Sequence, residues 1–129
     1  MNLFFQKYSD ASKALKTLSE ILQEKYSTTV QDAAIQRFEY TTEALWKCLQ
    51  VYLKESEGII SATPKSCMRE AKRMGLINDK ETECALEMID ARNLTSHTYH
   101  KEVADQLFKM LPIYEELMTK ILEKIKPEQ

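Results

Sequence analysis

Three stretches of this chain share one apolar spacing, and that spacing fixes the fold class. Phe4, Tyr8, Ala11, Leu15, Leu18 and Leu22 follow one another at intervals of 4, 3, 4, 3 and 4 residues. Ala34, Phe38, Thr41, Leu45, Cys48 and Tyr52 repeat the pattern, and so do Val103, Leu107, Met110, Tyr114, Leu117 and Ile121. Side chains at those intervals form a stripe along one side of an α-helix. A seven-residue repeat favours near-aligned helices that cross at about 20°.

Composition supports this. The 129 residues hold only 2 Gly and 3 Pro, too few turn residues for a sheet of tight hairpins. With Gly58 and Gly75 as the sole glycines, a Gly-rich phosphate loop is excluded. The expected fold is all-α: one domain over 1–129, an antiparallel up-and-down bundle of four main helices plus one short helix.

The breakers place the elements. Ser27-Thr28-Thr29 separates the first two helices, with Thr28 or Thr29 as the expected cap of the second. That helix is expected over 29–56, ended by Gly58 and Ser61-Ala62-Thr63-Pro64. Thr63-Pro64 opens a short helix that runs to about Gly75. Asn78 or Asp79 caps a fourth over about 79–96. Pro112 predicts a kink in the last helix, and Pro127 marks a frayed tail.

Charge narrows the function. Eighteen Lys+Arg against 20 Asp+Glu give a net charge of −2, which speaks against nonspecific coating of nucleic acid. No DNA partner is expected, although RNA contact through a local patch is compatible with this balance. No apolar run approaches the ~20 residues of a membrane span, and the first residues lack a signal-peptide pattern, so no membrane partner is expected. Cys48, Cys67 and Cys84 form no CxxC pair, which points to reduced thiols and a cytoplasmic protein.

Residues 90–100 depart from plain bundle patterning. The stripe Ala85, Met88 calls next for an apolar residue, and Arg92 stands there. A guanidinium on a core face must meet a carboxylate or face a cleft. Arg92 and His97 are about 140° apart on a regular helix. Acting on one phosphate therefore requires the helix to end near Leu94–Ser96, or two chains to share the site. Imidazole moves protons near neutral pH, and guanidinium grips phosphate oxygens. The pair suits phosphate chemistry in which an RNA 2′-hydroxyl is the nucleophile. An ion pair and a helix cap are the alternative reading.

Arg92-Asn93-Leu94-Thr95-Ser96-His97-Thr98-Tyr99 resembles the R-x4-H-x-Y motif of HEPN-domain proteins, in the branch described as nucleotidyltransferase substrate-binding proteins. Asp32 to Lys47, with Arg37-Phe38-Glu39 and Trp46, looks like that branch's second helix. Thr63 to Ala71, followed by Gly75-Leu76-Ile77, looks like its third. The blocks stand in the family's order, and the likeness spans about residues 1–125.

The resemblance implies a homodimer in which Arg92 and His97 of two copies line one cleft. It implies a metal-independent endoribonuclease toxin, with Arg92 on the phosphate and His97 shuttling protons. Asn93 is the polar neighbour of the arginine. The implied partner is a small minimal nucleotidyltransferase, which modifies Tyr99 with AMP and silences the toxin. A noncatalytic substrate-binding subunit is the alternative. No cofactor is implied. Cys84, where relatives carry Trp, and His100, where an acid is common, are departures.

Other groups have plainer readings. Glu39 or Arg37 either orients Arg92 or makes a flanking salt bridge. His97 and His100 are three apart, but no further ligand at metal spacing supports a site. Lys65, Arg69, Lys72 and Arg73 form either an RNA-facing patch or a solvated face. Met68, Met74, Met88, Met110 and Met118 fit core or interface positions. Trp46 fits a core contact or a dimer contact.

Overall fold

A computed structural model describes residues 2–127. Its elements are α1 (Leu3–Ile21), α2 (Thr28–Glu57), α3 (Pro64–Arg73), α4 (Asp79–Asn93), a 3₁₀ turn (Leu94–His97) and α5 (Lys101–Lys124). There is no strand among the described residues. The long helices have 19, 30 and 24 residues, the medium one 15 and the short one 10, as the apolar spacing predicts. No described helix is long and apolar enough to cross a membrane.

α2 is the central element and packs against every other one. Its stripe Ala34, Phe38, Thr41, Leu45 and Cys48 is buried, and α1 contributes Phe4, Ala11, Leu15 and Leu18 to the same core. Phe38 stacks on Tyr114 of α5, ring centres 5.6 Å apart. Two polar ties fix the long helices further. The Tyr8 hydroxyl donates to the Leu122 carbonyl at 3.1 Å. The buried Gln31 amide donates to Asp105 at 3.0 Å, and Asp105 also holds Lys101 at 2.7 Å. Those two partners keep the Asp105 carboxyl below its usual range.

The ends show where local chemistry decides. Ser27, not Thr28 or Thr29, caps α2: its hydroxyl accepts from the Val30 N–H at 3.0 Å. All three side chains can cap, and the hydroxyl one residue earlier in the chain takes the role. Gly58 and Gly75 hold φ of 69° and 78°, a conformation other residues rarely adopt. After α3 the Leu76 N–H reaches the Ala71 carbonyl and the Gly75 N–H the Lys72 carbonyl, a Schellman closure.

Asn78 caps α4 in a reciprocal box with Glu81, both bonds at 2.8 Å. Asn78→Ala is expected to cost about 1 kcal/mol of stability. Urea melts of the two proteins check this, and an unchanged midpoint would remove the box from the list of stabilising features.

α5 continues through Pro112, which stands on the exposed side. The carbonyl that loses its ladder partner there belongs to Phe108, and solvent is close at hand. The α5 core stripe is also broader than the 4-3 spacing. Ala104, Leu111, Met118 and Leu122 are buried, whereas Val103 and Met110 are half-buried. With Ala91, Leu94, Leu107 and Tyr114 those two line an apolar groove of about 550 Å³ between α4 and α5.

Candidate phosphate site at the end of α4

α4 ends where the polar run begins. Its last residue is Asn93, and the chain tightens into the 3₁₀ turn Leu94–His97. Hydroxyls build this turn. Thr95 donates to the Arg92 carbonyl at 2.8 Å, Ser96 to the Asn93 carbonyl at 3.5 Å, and Thr98 to the Thr95 carbonyl at 3.0 Å. Each bond satisfies a carbonyl that a helix terminus leaves open. Thr95 is the buried side chain of the turn and seats it in the bundle. The α-helix therefore stops at Asn93, short of the expected 96, and the residues Leu94–Ser96, poor in strong helix formers, continue as the 3₁₀ turn.

Arg92 projects from the last turn of α4 onto α2. Its side chain is 27% exposed, and Nε lies 2.8 Å from Glu43 Oε1. The N–H is not aligned on that oxygen, so this is a charge contact and not a made hydrogen bond. Nη2 lies 3.9 Å from Glu39. The arginine on the core rhythm thus meets carboxylates, as burial of its charge demands.

Glu43 is a residue that sequence reasoning did not single out, although the spacing held a clue. It stands four residues after Glu39, so both carboxylates share a face of α2. Its second oxygen accepts the Trp46 indole N–H at 3.2 Å, with Lys47 at 3.8 Å. Trp46 is half-buried against the core.

His97, Tyr99 and His100 lie on the solvent side of the turn. Tyr99 is 76% exposed, with its ring centre 4.3 Å from His100 and 6.4 Å from His97. Asn93 is exposed as well. No hydrogen bond joins Arg92 to His97 among the described residues. Arg37 stands elsewhere: its guanidinium donates to the Thr17 carbonyl of α1 at 2.8 Å. The structure therefore brings Glu39 to Arg92 and leaves Arg37 as a tie between α1 and α2.

Of the four basic side chains of α3, Lys65 pairs with Asp90, Lys72 with Asp79 and Arg73 with Glu70, and Arg69 is exposed. Among the described residues no three His, Cys, Asp or Glu side chains converge as a metal site. Cys48 is buried, and burial pushes its thiol up to about 12. Met68, Met88 and Met118 fill the core, Met110 lines the groove and Met74 is exposed.

Comparison with known proteins places these features in context. Residues 5–127 match the family described as nucleotidyltransferase substrate binding protein like. A Thermus thermophilus protein of known crystal structure is 48% identical, with a TM-score of 0.87 over 91% of this chain and 99% of that one. The probable ribonuclease HepT of Haemophilus influenzae is 34% identical over 87 residues, 64% of this chain. The match spans 58% of that relative's length. A chain in the crystal structure of a toxin–antitoxin with AMP-PNP shares the fold, with a TM-score of 0.77 at 15% identity over 98% of this chain and 99% of that one.

Proposed function

Because this chain belongs to the family of nucleotidyltransferase substrate binding protein-like proteins, we propose that it is the helical partner of a small minimal nucleotidyltransferase in a toxin–antitoxin pair, and that it cleaves RNA through Arg92 and His97. One observation carries the chemical part: a guanidinium set against carboxylates stands five residues before an exposed imidazole, across a helix end. The relatives' names, a probable ribonuclease and a toxin–antitoxin, agree with this reading.

The reaction is a transesterification. The RNA 2′-oxygen bonds to the adjacent phosphorus and the bond to the 5′-oxygen breaks. Imidazole takes the 2′-hydroxyl proton and imidazolium supplies one to the leaving oxygen. Arg92 offsets charge that builds on the non-bridging oxygens. Within one chain Arg92 faces α2 while His97 faces solvent. A homodimer that brings two copies of the turn together supplies both groups to one cleft. Leu94, 46% exposed at the mouth of the apolar groove, stands beside that cleft and gives the second copy a surface to cover.

Tyr99 is the proposed acceptor of nucleotide transfer. Its phenol oxygen attacks the α-phosphorus of a nucleotide held by the partner, and pyrophosphate leaves. The attached AMP adds negative charge and bulk beside His97 and blocks RNA. Intact-mass measurement after co-expression with the nucleotidyltransferase is expected to show added AMP, absent in Tyr99→Phe. Modification that persists in that variant would move the acceptor elsewhere.

The direct test is cleavage of a broad RNA pool in EDTA by purified chain whose intact mass shows no modification. Cleavage supports the ribonuclease. No cleavage leaves a noncatalytic substrate-binding subunit, with the Arg92–Tyr99 turn as its docking surface.

A further inference from the structure

We propose that Glu43, steadied by Trp46, is the positioning residue that aims Arg92. This rests on the reading above that Arg92 meets phosphate. A free arginine samples many rotamers, and ordering it on binding opposes affinity. Here the inner edge of the guanidinium is already engaged: Nε is buried and lies 2.8 Å from Glu43 Oε1. Glu43 is held in turn, because Oε2 takes the Trp46 indole N–H at 3.2 Å. The two oxygens divide the work, one for the arginine and one for the tryptophan.

Glu39 contributes less. At 3.9 Å from Nη2 it is beyond hydrogen-bond reach and acts only as nearby charge. Nη1 makes no hydrogen bond among the described residues, which leaves the outer edge of the fork for a phosphate oxygen. The arrangement grips the side of the guanidinium that substrate does not need.

Trp46 is the sole tryptophan of the chain. Its indole N–H therefore reports on the carboxylate that touches Arg92, without a probe being added.

The experiment compares the full chain with Glu43→Gln, Glu43→Asp, Glu39→Gln and Trp46→Phe. The first readout is the Arg92 Nε–H resonance by NMR, assigned through its loss in Arg92→Lys. It is expected to move in Glu43→Gln and to move less in Glu39→Gln. The Trp46 indole resonance is expected to move in Arg92→Lys. The second readout is RNA cleavage. Glu43→Gln is expected to lower kcat roughly 10- to 100-fold with KM within about twofold, Glu43→Asp to recover part of it, and Trp46→Phe to lose less.

Wild-type or higher kcat in Glu43→Gln overturns the proposal, since Glu43 then only restrains the arginine. A loss of kcat matched by an equal loss in the thermal melt overturns it as well, because that is a folding effect. If the wild type cleaves no RNA, the ribonuclease reading fails by itself. The NMR readout then decides this proposal: an unmoved Arg92 Nε–H overturns it and a shifted one upholds it.

Discussion

His97→Ala is expected to abolish RNA cleavage measured in EDTA, by at least 100-fold, with no loss of helix content or melting temperature. Two facts separate chemistry from stability here. The imidazole is exposed on a 3₁₀ turn whose carbonyls are satisfied by Thr95, Ser96 and Thr98, not by His97. Its removal therefore costs the fold little. General acid–base groups are worth about 10²- to 10⁴-fold in rate, and a methyl group moves no proton. Loss of this size with an intact melt assigns proton transfer to His97. Full activity in His97→Ala would end the proposed mechanism, whatever became of Arg92. The same variant should still bind RNA, because the guanidinium and its carboxylates are untouched.

Phe38→Ala is expected to destabilise the bundle by about 3–5 kcal/mol, the range for deleting a buried aromatic ring. Phe38 is wholly buried at the middle of the core and stacks on Tyr114, so the cavity opens where α2 meets α5. Domains are typically stable by about 5–15 kcal/mol, which makes this loss a large fraction of the whole. Phe5→Ala is the control, since Phe5 is 44% exposed and its loss removes little buried area. Urea melts of the two variants give the comparison. A cost below about 1 kcal/mol for Phe38→Ala would mean that the core collapses around the gap. Tyr114 also floors the α4–α5 groove, so the cavity loosens the surface beside the site as well as the core.

How much of this was legible in the sequence differs between fold and site. Helix number and order followed from the 4-3 spacing, because one side of a helix must be apolar if it is to be buried. Gly58, Pro64, Gly75 and Asn78 placed most of the ends, because each has local chemistry that needs no partner. The start of α2 escaped, since Ser27, Thr28 and Thr29 stand side by side and each has a hydroxyl that can cap. The half-burial of Val103 and Met110 escaped because it depends on which neighbour covers which side of α5.

The site divides in the same way. Its reactive groups were visible as a polar run on a helix that should have stayed apolar, and Arg92 was marked by breaking the rhythm. What the guanidinium touches was not visible. Glu39, Glu43 and Arg37 lie on one helix, and their spacing puts Glu39 and Glu43 on a common face without saying that this face meets α4. Only packing turns Arg37 toward Thr17 of α1 and Glu43 toward Arg92. The sequence alone determined the all-helical class, the order of the helices and the family, because these rest on local periodicity, capping and motif. The tertiary structure alone decided that Glu43, bonded by Trp46, meets Arg92 while His97 and Tyr99 meet solvent. Those partners are about 50 residues apart in the chain, and only the packing of α4 on α2 brings them within contact distance.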